Sequence, residues 1–112
     1  MKSLNKNPLV EIHRMMTENE LWLALAESCT GGLLGSRITD LPGASQFFLG
    51  SVVSYAYPLK SDILKVSRQT LDQHGAVSKE TAQEMACGVR AMYASSIYPA
   101  DRIVALSITG IA

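Results

Sequence analysis

The sequence predicts an α/β fold, because strongly apolar runs alternate with helical patterns along a chain of 112 residues. Residues 21–26 and residues 103–108 are apolar at almost every position, as is typical of strands that are buried on both faces. Between them, residues 79–93 place apolar side chains at the spacing of a helix that faces a core. Strands of this kind need helices on both sides, so we expect three layers.

The composition limits the class of protein. The length fits one domain over residues 1–112, and an apolar content of 47% is ordinary for a globular chain. Ten basic residues balance ten acidic ones, so no net field attracts nucleic acid or an anionic membrane. No apolar run reaches the roughly 18 residues of a membrane span, and the N-terminus lacks the apolar core of a signal peptide. We therefore expect a cytoplasmic protein with reduced thiols at Cys29 and Cys87.

The first half of the chain is expected to contain two helices and two strands. Asn7 followed by proline predicts the start of a short helix. The apolar run at 21–26 follows as a strand, and apolar residues at helical spacing over 33–40 predict the next helix. Residues 46–57 are rich in aromatic and β-branched side chains, which predicts a second strand.

The second half is expected to be mainly helical before a last strand. Pro58 predicts the start of a short helix, and residues 70–77 form a loop or another short helix. Ser78 is the expected N-cap of the longest helix. The chain ends directly after the strand at 103–108, and a buried strand is normally covered by a further element. We therefore interpret the chain as the N-terminal portion of a domain whose closing strand and helices are missing.

The most informative stretch joins the first strand to the next helix. Ser28 and Thr30 lie there, followed by Gly31 and Gly32. Backbone N–H groups are unpaired at a helix N-terminus and the helix dipole favours negative charge, which suits a hydroxyl nucleophile, an oxyanion or a phosphate. The alternative is that Ser28 or Thr30 is only the N-cap of the helix. Cys29 is either a reactive thiolate or inert packing.

None of the common catalytic motifs accompanies Ser28. The sequence has no G-x-S-x-G elbow, no G-x-x-x-x-G-K-[ST] phosphate loop, no G-x-G-x-x-G and no H-E-x-x-H. Its two histidines do not predict a Ser-His-Asp triad, and no cluster has metal-ligand spacing, so we expect neither a metal nor a cofactor. Lys60 is the remaining candidate base, because burial can leave a lysine neutral near pH 7. The alternative for Lys60 is a solvated surface lysine.

Several segments carry a resemblance to a known family. They are AESCTGG at 26–32, TDLPGAS at 39–45, the strand at 48–55 with Lys60 after it, HGAVSKE at 74–80 and ITGIA at 108–112. In this order they resemble the C-terminal domain of the competence- and damage-inducible CinA family, the bacterial nicotinamide-nucleotide amidohydrolases. The resemblance implies a three-layer α/β/α fold with a mixed sheet.

The resemblance also implies a reaction and its catalytic residues. The family hydrolyses the amide of nicotinamide mononucleotide to give nicotinate mononucleotide and ammonia, without a metal. Carried over by motif, Ser28 is the nucleophile, Lys60 is its general base, and Tyr55 relays or orients the proton. Backbone N–H groups around residues 29–32 are the candidates for the oxyanion hole.

The resemblance also implies substrate contacts from three segments: the turn at 30–32, the turn at 39–45 and the loop that begins at residue 109. Thr30 is either a helix cap or a substrate contact, and Ser45 is either a turn residue or a ligand for the substrate phosphate. The complete set of expected substrate-binding residues is Thr30, Gly31, Gly32, Ser45, Thr109 and Gly110.

Two departures from the family pattern leave an alternative function open. Residues 57–59 read Tyr-Pro-Leu where the family more often has Asn and polar residues, so the path to Lys60 is expected to differ. The chain also ends before the family's closing elements. The alternative is an inactive CinA-like protein that binds a nucleotide or a partner chain, including further copies of itself as a homo-oligomer.

Overall fold

A computed structural model describes residues 7–111 and contains one parallel sheet. Its strands are β1 (Trp22–Glu27), β2 (Phe48–Val53) and β3 (Ile103–Ile108), in the order β2-β1-β3. Both neighbouring pairs run parallel, so the α/β class is confirmed, while the expected mixed sheet is corrected to a parallel one over the described residues. None of these three strands is antiparallel to its neighbour. Helices connect each strand to the next, and such a crossover returns the chain to the same end of the sheet before the next strand begins.

The helices begin and end at residues with local signals. They are α1 (Pro8–Glu18), α2 (Leu33–Thr39), α3 (Tyr57–Asp62), α4 (Arg68–His74) and α5 (Lys79–Tyr93), with 3₁₀ turns at Ala44–Gln46 and Ala100–Arg102. As expected, Asn7 caps α1 by accepting the N–H of Leu9, and Ser78 caps α5 by accepting the N–H of Thr81. Within residues 7–111, none of these helices has the length and apolarity to cross a membrane.

Helices cover both faces of β1, which confirms the three layers. Leu23 and Leu25 face one way and pack into a core formed with α1 and α2. Ala24 and Ala26 face the other way, into a core that includes Met85 and the remainder of α5. This alternation explains why the strand is apolar from Trp22 to Ala26: both of its faces are interior.

The face of β3 on the α1 and α2 side is only partly covered. Val104 and Leu106 stand in register with Leu23 and Leu25 of β1, yet their side chains are 38% and 48% exposed. The core beneath α1 and α2 therefore continues across β3 as an apolar surface that no described element covers. We call Val104 and Leu106 the β3 apolar face.

One close approach fixes how α5 packs against the segment that follows α3. A Cβ atom on Gly88 would lie 1.8 Å from the carbonyl oxygen of Leu64, so only a hydrogen fits there. Leu64 is completely buried in the same core as Met85 and Val89 of α5. The glycine thus allows this backbone segment to approach α5 closely.

Candidate active site

Ser28 is the first residue after β1, at the carboxyl edge of the sheet. Its backbone N–H donates to the carbonyl of Ile108 at 3.0 Å, which continues the pairing of β1 with β3. On the other side, Ser54 donates its N–H to the carbonyl of Glu27 at 2.8 Å and continues the pairing with β2. The nucleophile candidate is therefore held between two strand ends, and only 4% of its surface is exposed.

Lys60 reaches Ser28 from the last turn of α3. Its Nζ donates to Ser28 Oγ at 2.9 Å and to the carbonyl oxygen of Ser54 at 3.2 Å. The side chain is 3% exposed, so the alternative of a solvated lysine is wrong. The unusual Tyr57-Pro58 pair does not divert the chain, because proline is tolerated at the start of a helix and α3 begins there.

The charge of Lys60 is disfavoured by its surroundings. Burial lowers the pKa of the Lys60 ammonium below its usual range, and the nearby Cys29 thiol opposes that shift only in part. A lysine in this state can take up a proton from a hydroxyl that it contacts, since more of it is neutral near pH 7. The distance to Ser28 Oγ is within the range needed for such a transfer.

A cleft of about 300 Å³ opens above the two side chains. Tyr55 stands at this opening and is 66% exposed. The residues that line the cleft are Ser28, Tyr55, Tyr57, Lys60, Ala76, Val77, Thr109, Gly110 and Ile111. The structure thus brings together five residues that the sequence singled out: Ser28, Lys60, Tyr55, Thr109 and Gly110.

The far wall of the cleft consists of two loops that are tied to each other. Thr109 donates its hydroxyl to the carbonyl of Ala76 at 2.8 Å, which joins the loop after β3 to the loop after α4. Gly110 lies against the nucleophile turn, since a Cβ there would be 3.3 Å from Cys29 Sγ. Ala76 and Val77 were not among the expected site residues, although they lie in the HGAVSKE segment that carries the family resemblance.

The buried carboxylate of Glu27 organises the turn after Ser28, and sequence reasoning missed this role. Glu27 Oε1 accepts the Thr30 hydroxyl at 2.7 Å and the Leu34 N–H at 2.8 Å. Its Oε2 accepts the Gly35 N–H at 2.8 Å and the Ser51 hydroxyl at 2.6 Å. Burial works against ionisation, yet the four donors outweigh it and hold the pKa of Glu27 below its usual range.

These contacts decide between the alternatives for the turn. The N-cap of α2 is Gly32, without any side-chain cap, so the interpretation of Ser28 or Thr30 as the cap is wrong. Gly31 and Gly32 adopt φ angles of 62° and 103°, which side chains other than glycine rarely adopt. The Gly31 N–H donates to the carbonyl of Ser28, which leaves the N–H groups of Cys29, Thr30 and Gly32 as the donors available around Ser28 among the described residues.

Ser45 is not brought to the cleft. It lies in the 3₁₀ turn Ala44–Gln46, directly before β2 begins at Phe48, and its side chain is exposed. Ser28 follows the opposite end of the parallel strands, about 20 Å away at the usual rise per residue. The turn interpretation of Ser45 fits this position, whereas the expected role as a phosphate ligand in this cleft is corrected.

The described residues do not assemble a metal centre. Across residues 7–111, no group of three or more His, Cys, Asp or Glu side chains is placed to hold a metal ion. Cys29 and Cys87 are both free thiols.

The comparison with known proteins identifies the family. The family model described as the CinA C-terminal domain matches residues 6–112. The chain belongs to the CinA C-terminal domain family. A CinA-like protein from Chlorobium limicola is 48% identical over 101 residues, covering 90% of this CinA-type chain and 22% of the relative. One from Syntrophomonas wolfei is 52% identical over 90 residues, covering 80% of this chain and 20% of the relative.

Solved CinA structures share the fold. The crystal structure of a CinA superfamily protein from Escherichia coli matches with a TM-score of 0.76 and 31% identity, over 82% of this chain and 56% of that chain. The competence damage-inducible protein A from Klebsiella pneumoniae matches with a TM-score of 0.74 and 33% identity, over 76% and 53%. The CinA-type chain therefore spans about a fifth of the curated relatives and about half of the solved chains.

Proposed function

We propose that this CinA-type chain carries the acyl-transfer site of an amidohydrolase that acts on the carboxamide of nicotinamide mononucleotide. The single observation that supports it most is the buried contact of 2.9 Å between Lys60 Nζ and Ser28 Oγ. A serine beside a lysine of lowered pKa is a recognised nucleophile and base pair. The family membership and the open cleft beside both side chains favour the same conclusion.

In the first half of the proposed reaction, Ser28 Oγ attacks the carboxamide carbon while Lys60 accepts the hydroxyl proton. The carbonyl oxygen becomes an oxyanion, which the free N–H groups of Cys29, Thr30 and Gly32 are suited to stabilise. Collapse of this intermediate breaks the C–N bond. Lys60 returns its proton to the departing nitrogen, so that ammonia leaves and an acyl ester remains on Ser28.

In the second half, water hydrolyses the ester. Lys60, neutral again, takes a proton from the attacking water, and the resulting intermediate expels Ser28 Oγ, which recovers that proton. Nicotinate mononucleotide is the product, and no redox partner or metal enters the balance. Tyr55, exposed at the edge of the cleft, is proposed to orient or relay the proton during these transfers.

The proposed substrate contacts surround this dyad. Thr109 and Gly110 line the cleft and are proposed to approach the nucleotide, while Gly31 and Gly32 shape the turn that presents the oxyanion donors. Thr30 is proposed to contribute its backbone N–H only, since its hydroxyl is engaged by Glu27. The two free thiols and the lack of net charge agree with a cytoplasmic enzyme.

The test is ammonia release from nicotinamide mononucleotide by the purified chain. We expect turnover from the parent chain and loss of at least 100-fold in Ser28→Ala and in Lys60→Arg, because arginine keeps the charge but does not act as a base. Ser36→Ala is a matched control, since this exposed serine on α2 lies outside the site. A folded parent chain without turnover, or a Lys60→Arg variant with normal turnover, would contradict the mechanism.

A second candidate function, binding without turnover, is favoured by the β3 apolar face. Within residues 7–111, β3 is an edge strand of the sheet and carries exposed Val104 and Leu106, which suits it to association with a second copy of the chain. This candidate predicts a dimer in analytical ultracentrifugation that Leu106→Lys dissociates and Ser28→Ala leaves intact. A monomer at all accessible concentrations would exclude it.

A further inference from the structure

The proposed mechanism gives no function to one buried polar group near Ser28 and Lys60. The hydroxyl of Ser54 is fully buried and has no hydrogen-bond partner among the described residues. A buried hydroxyl without a partner typically costs about 1–3 kcal/mol, so such groups are rare and call for an explanation. Ser54 is also the residue whose carbonyl oxygen accepts from Lys60 Nζ at 3.2 Å.

The direction of the Ser54 side chain follows from the sheet. Side chains two residues apart point to the same face of a strand, and Val52 packs into the core that contains Leu64 and Val66. Ala26 of β1 packs into the same core, and Ser28, two residues after it, places on that side of the sheet the hydroxyl that Lys60 Nζ contacts. Since Ser54 continues the β2 pairing through its N–H bond to Glu27, its hydroxyl is directed to the side of the sheet occupied by Lys60.

The number of donors on Lys60 changes during the reaction. A neutral amine has two N–H groups, but the ammonium that forms when Ser28 loses its proton has three. Two of these have acceptors in Ser28 Oγ and the carbonyl oxygen of Ser54. The third N–H has no acceptor among residues 7–111 as they are arranged, and Ser28 Oγ itself becomes a poorer acceptor once it carries the acyl group.

We infer that the Ser54 hydroxyl is the acceptor for the third N–H of the Lys60 ammonium and holds this base in position while it carries the proton. A rotation about the Cα–Cβ bond of Ser54 moves the hydroxyl between staggered positions, so no backbone movement is needed. Ser54 is a positioning residue in this scheme, because it acts on the substrate only through Lys60. The inference deepens the proposed function and rests on it for the catalytic consequence.

Three other kinds of polar group lie near Lys60. The Cys29 thiol is the titratable group that acts on the charge of Lys60, and the phenols of Tyr55 and Tyr57 line the same cleft. The Glu27 carboxylate is committed to α2 and β2 on the opposite face of β1. The Ser54 hydroxyl differs from these groups because it is buried without a partner and belongs to the residue whose carbonyl oxygen Lys60 Nζ already contacts.

The experiment measures the pKa of Lys60 directly by NMR of the chain with isotope-labelled lysine side chains, which requires no substrate. Ser54→Ala removes the acceptor, so we expect the pKa of Lys60 to fall by about one unit, a tenfold decrease in the ratio of ammonium to amine at a given pH. Ser54→Thr keeps a hydroxyl at the same atom and restores the parent value. Ser36→Ala, the same change on an exposed serine, leaves it unchanged.

The kinetic arm uses the same variants with nicotinamide mononucleotide. We expect Ser54→Ala to lower kcat about tenfold at unchanged KM and to move the acidic limb of the pH profile to lower pH. An unaltered Lys60 pKa in Ser54→Ala, or an equal shift in Ser54→Thr, would overturn the inference. Ser54→Ala is expected to fold, because it deletes an unpartnered buried hydroxyl.

The two arms separate the inference from the proposed function. A shifted Lys60 pKa in a chain that releases no ammonia would support the hydrogen bond and refute the proposed reaction. Normal turnover with an unshifted pKa would support the reaction and refute the role of Ser54.

Discussion

Replacing Glu27 by glutamine tests whether one buried carboxylate holds the turn that follows Ser28. Glutamine has nearly the same size and shape, but one carboxylate oxygen becomes an NH₂ group. Each oxygen of Glu27 accepts one hydroxyl and one backbone N–H: Thr30 and Leu34 on one side, Ser51 and Gly35 on the other. A hydroxyl can rotate to accept from the amide, but a backbone N–H cannot. Either orientation of the amide therefore sets an NH₂ group against a backbone donor.

The expected loss of stability follows from the number of hydrogen bonds that Glu27→Gln disturbs. One buried N–H left without an acceptor costs about 1–3 kcal/mol, and the remaining bonds lose the added strength of an ionised acceptor. We therefore expect Glu27→Gln to lower the free energy of unfolding by about 3 kcal/mol, or the Tm by roughly 12 °C at about 4 °C per kcal/mol. Thr30→Val and Ser51→Ala each remove one hydroxyl donor and are expected to cost only about 1 kcal/mol.

The assay is urea unfolding of the four proteins as a function of pH. The pKa of Glu27 is lowered in the folded chain, so its carboxylate contributes stability above its unfolded pKa of about 4.3, and this contribution is lost as pH falls through the folded value. The difference in the free energy of unfolding between Glu27→Gln and the parent should therefore disappear as the pH falls through that acidic range. A Glu27→Gln variant no less stable than Thr30→Val would refute the reasoning. So would a difference in the free energy of unfolding between Glu27→Gln and the parent that persists at low pH.

Further predictions concern the base and the close approach of α5. Because burial lowers the pKa of Lys60 and a general base must be neutral, kcat/KM should fall as pH drops below that pKa, which a pH–rate profile measures. Lys60→Met should abolish turnover. It should also raise the free energy of unfolding by about 1 kcal/mol near pH 7, because the folded chain disfavours the lysine charge that the unfolded chain keeps. This gain should shrink toward pH 10, where the unfolded lysine also loses its proton. Gly88→Ala should cost about 3 kcal/mol by chemical denaturation, since its Cβ meets a backbone oxygen. Cys87→Ala, at the exposed neighbouring position, should be nearly neutral, and equal stability of the two variants would contradict the packing described.

The sequence predicted the architecture well because its signals are local. The run at β1 is apolar on both faces, and the caps at Asn7 and Ser78 are set by residues adjacent in the chain. The parallel pairing of β2 was not predicted, because strand direction depends on how the crossover packs rather than on any single residue. The prediction that this stretch is one domain over residues 1–112 stays a prediction.

The site was predicted in part for the same reason. Ser28 and Lys60 were found from a strand–turn–helix junction and a lysine after a strand, together with the family resemblance. Glu27 escaped notice because its four donors come from three separate elements, and an acidic residue at a strand end carries no periodic signal. For Ser45 the turn alternative fits and the phosphate-ligand alternative does not, because the sequence does not tell at which end of the strands a turn lies.

The two halves of the cleft have separate structural origins, and this has a consequence for divergence within the family. Ser28 and Lys60 depend on β1, β2 and α3, whereas the opposite wall is formed by the loops that contain Ala76 and Thr109 and are joined by a single hydrogen bond. Substitutions in that wall can alter the shape and polarity of the cleft without moving Ser28 or Lys60. Under the proposed function, exchange of these two loops would change substrate preference while the proposed reaction centre stays the same, which makes this wall a target for directed evolution.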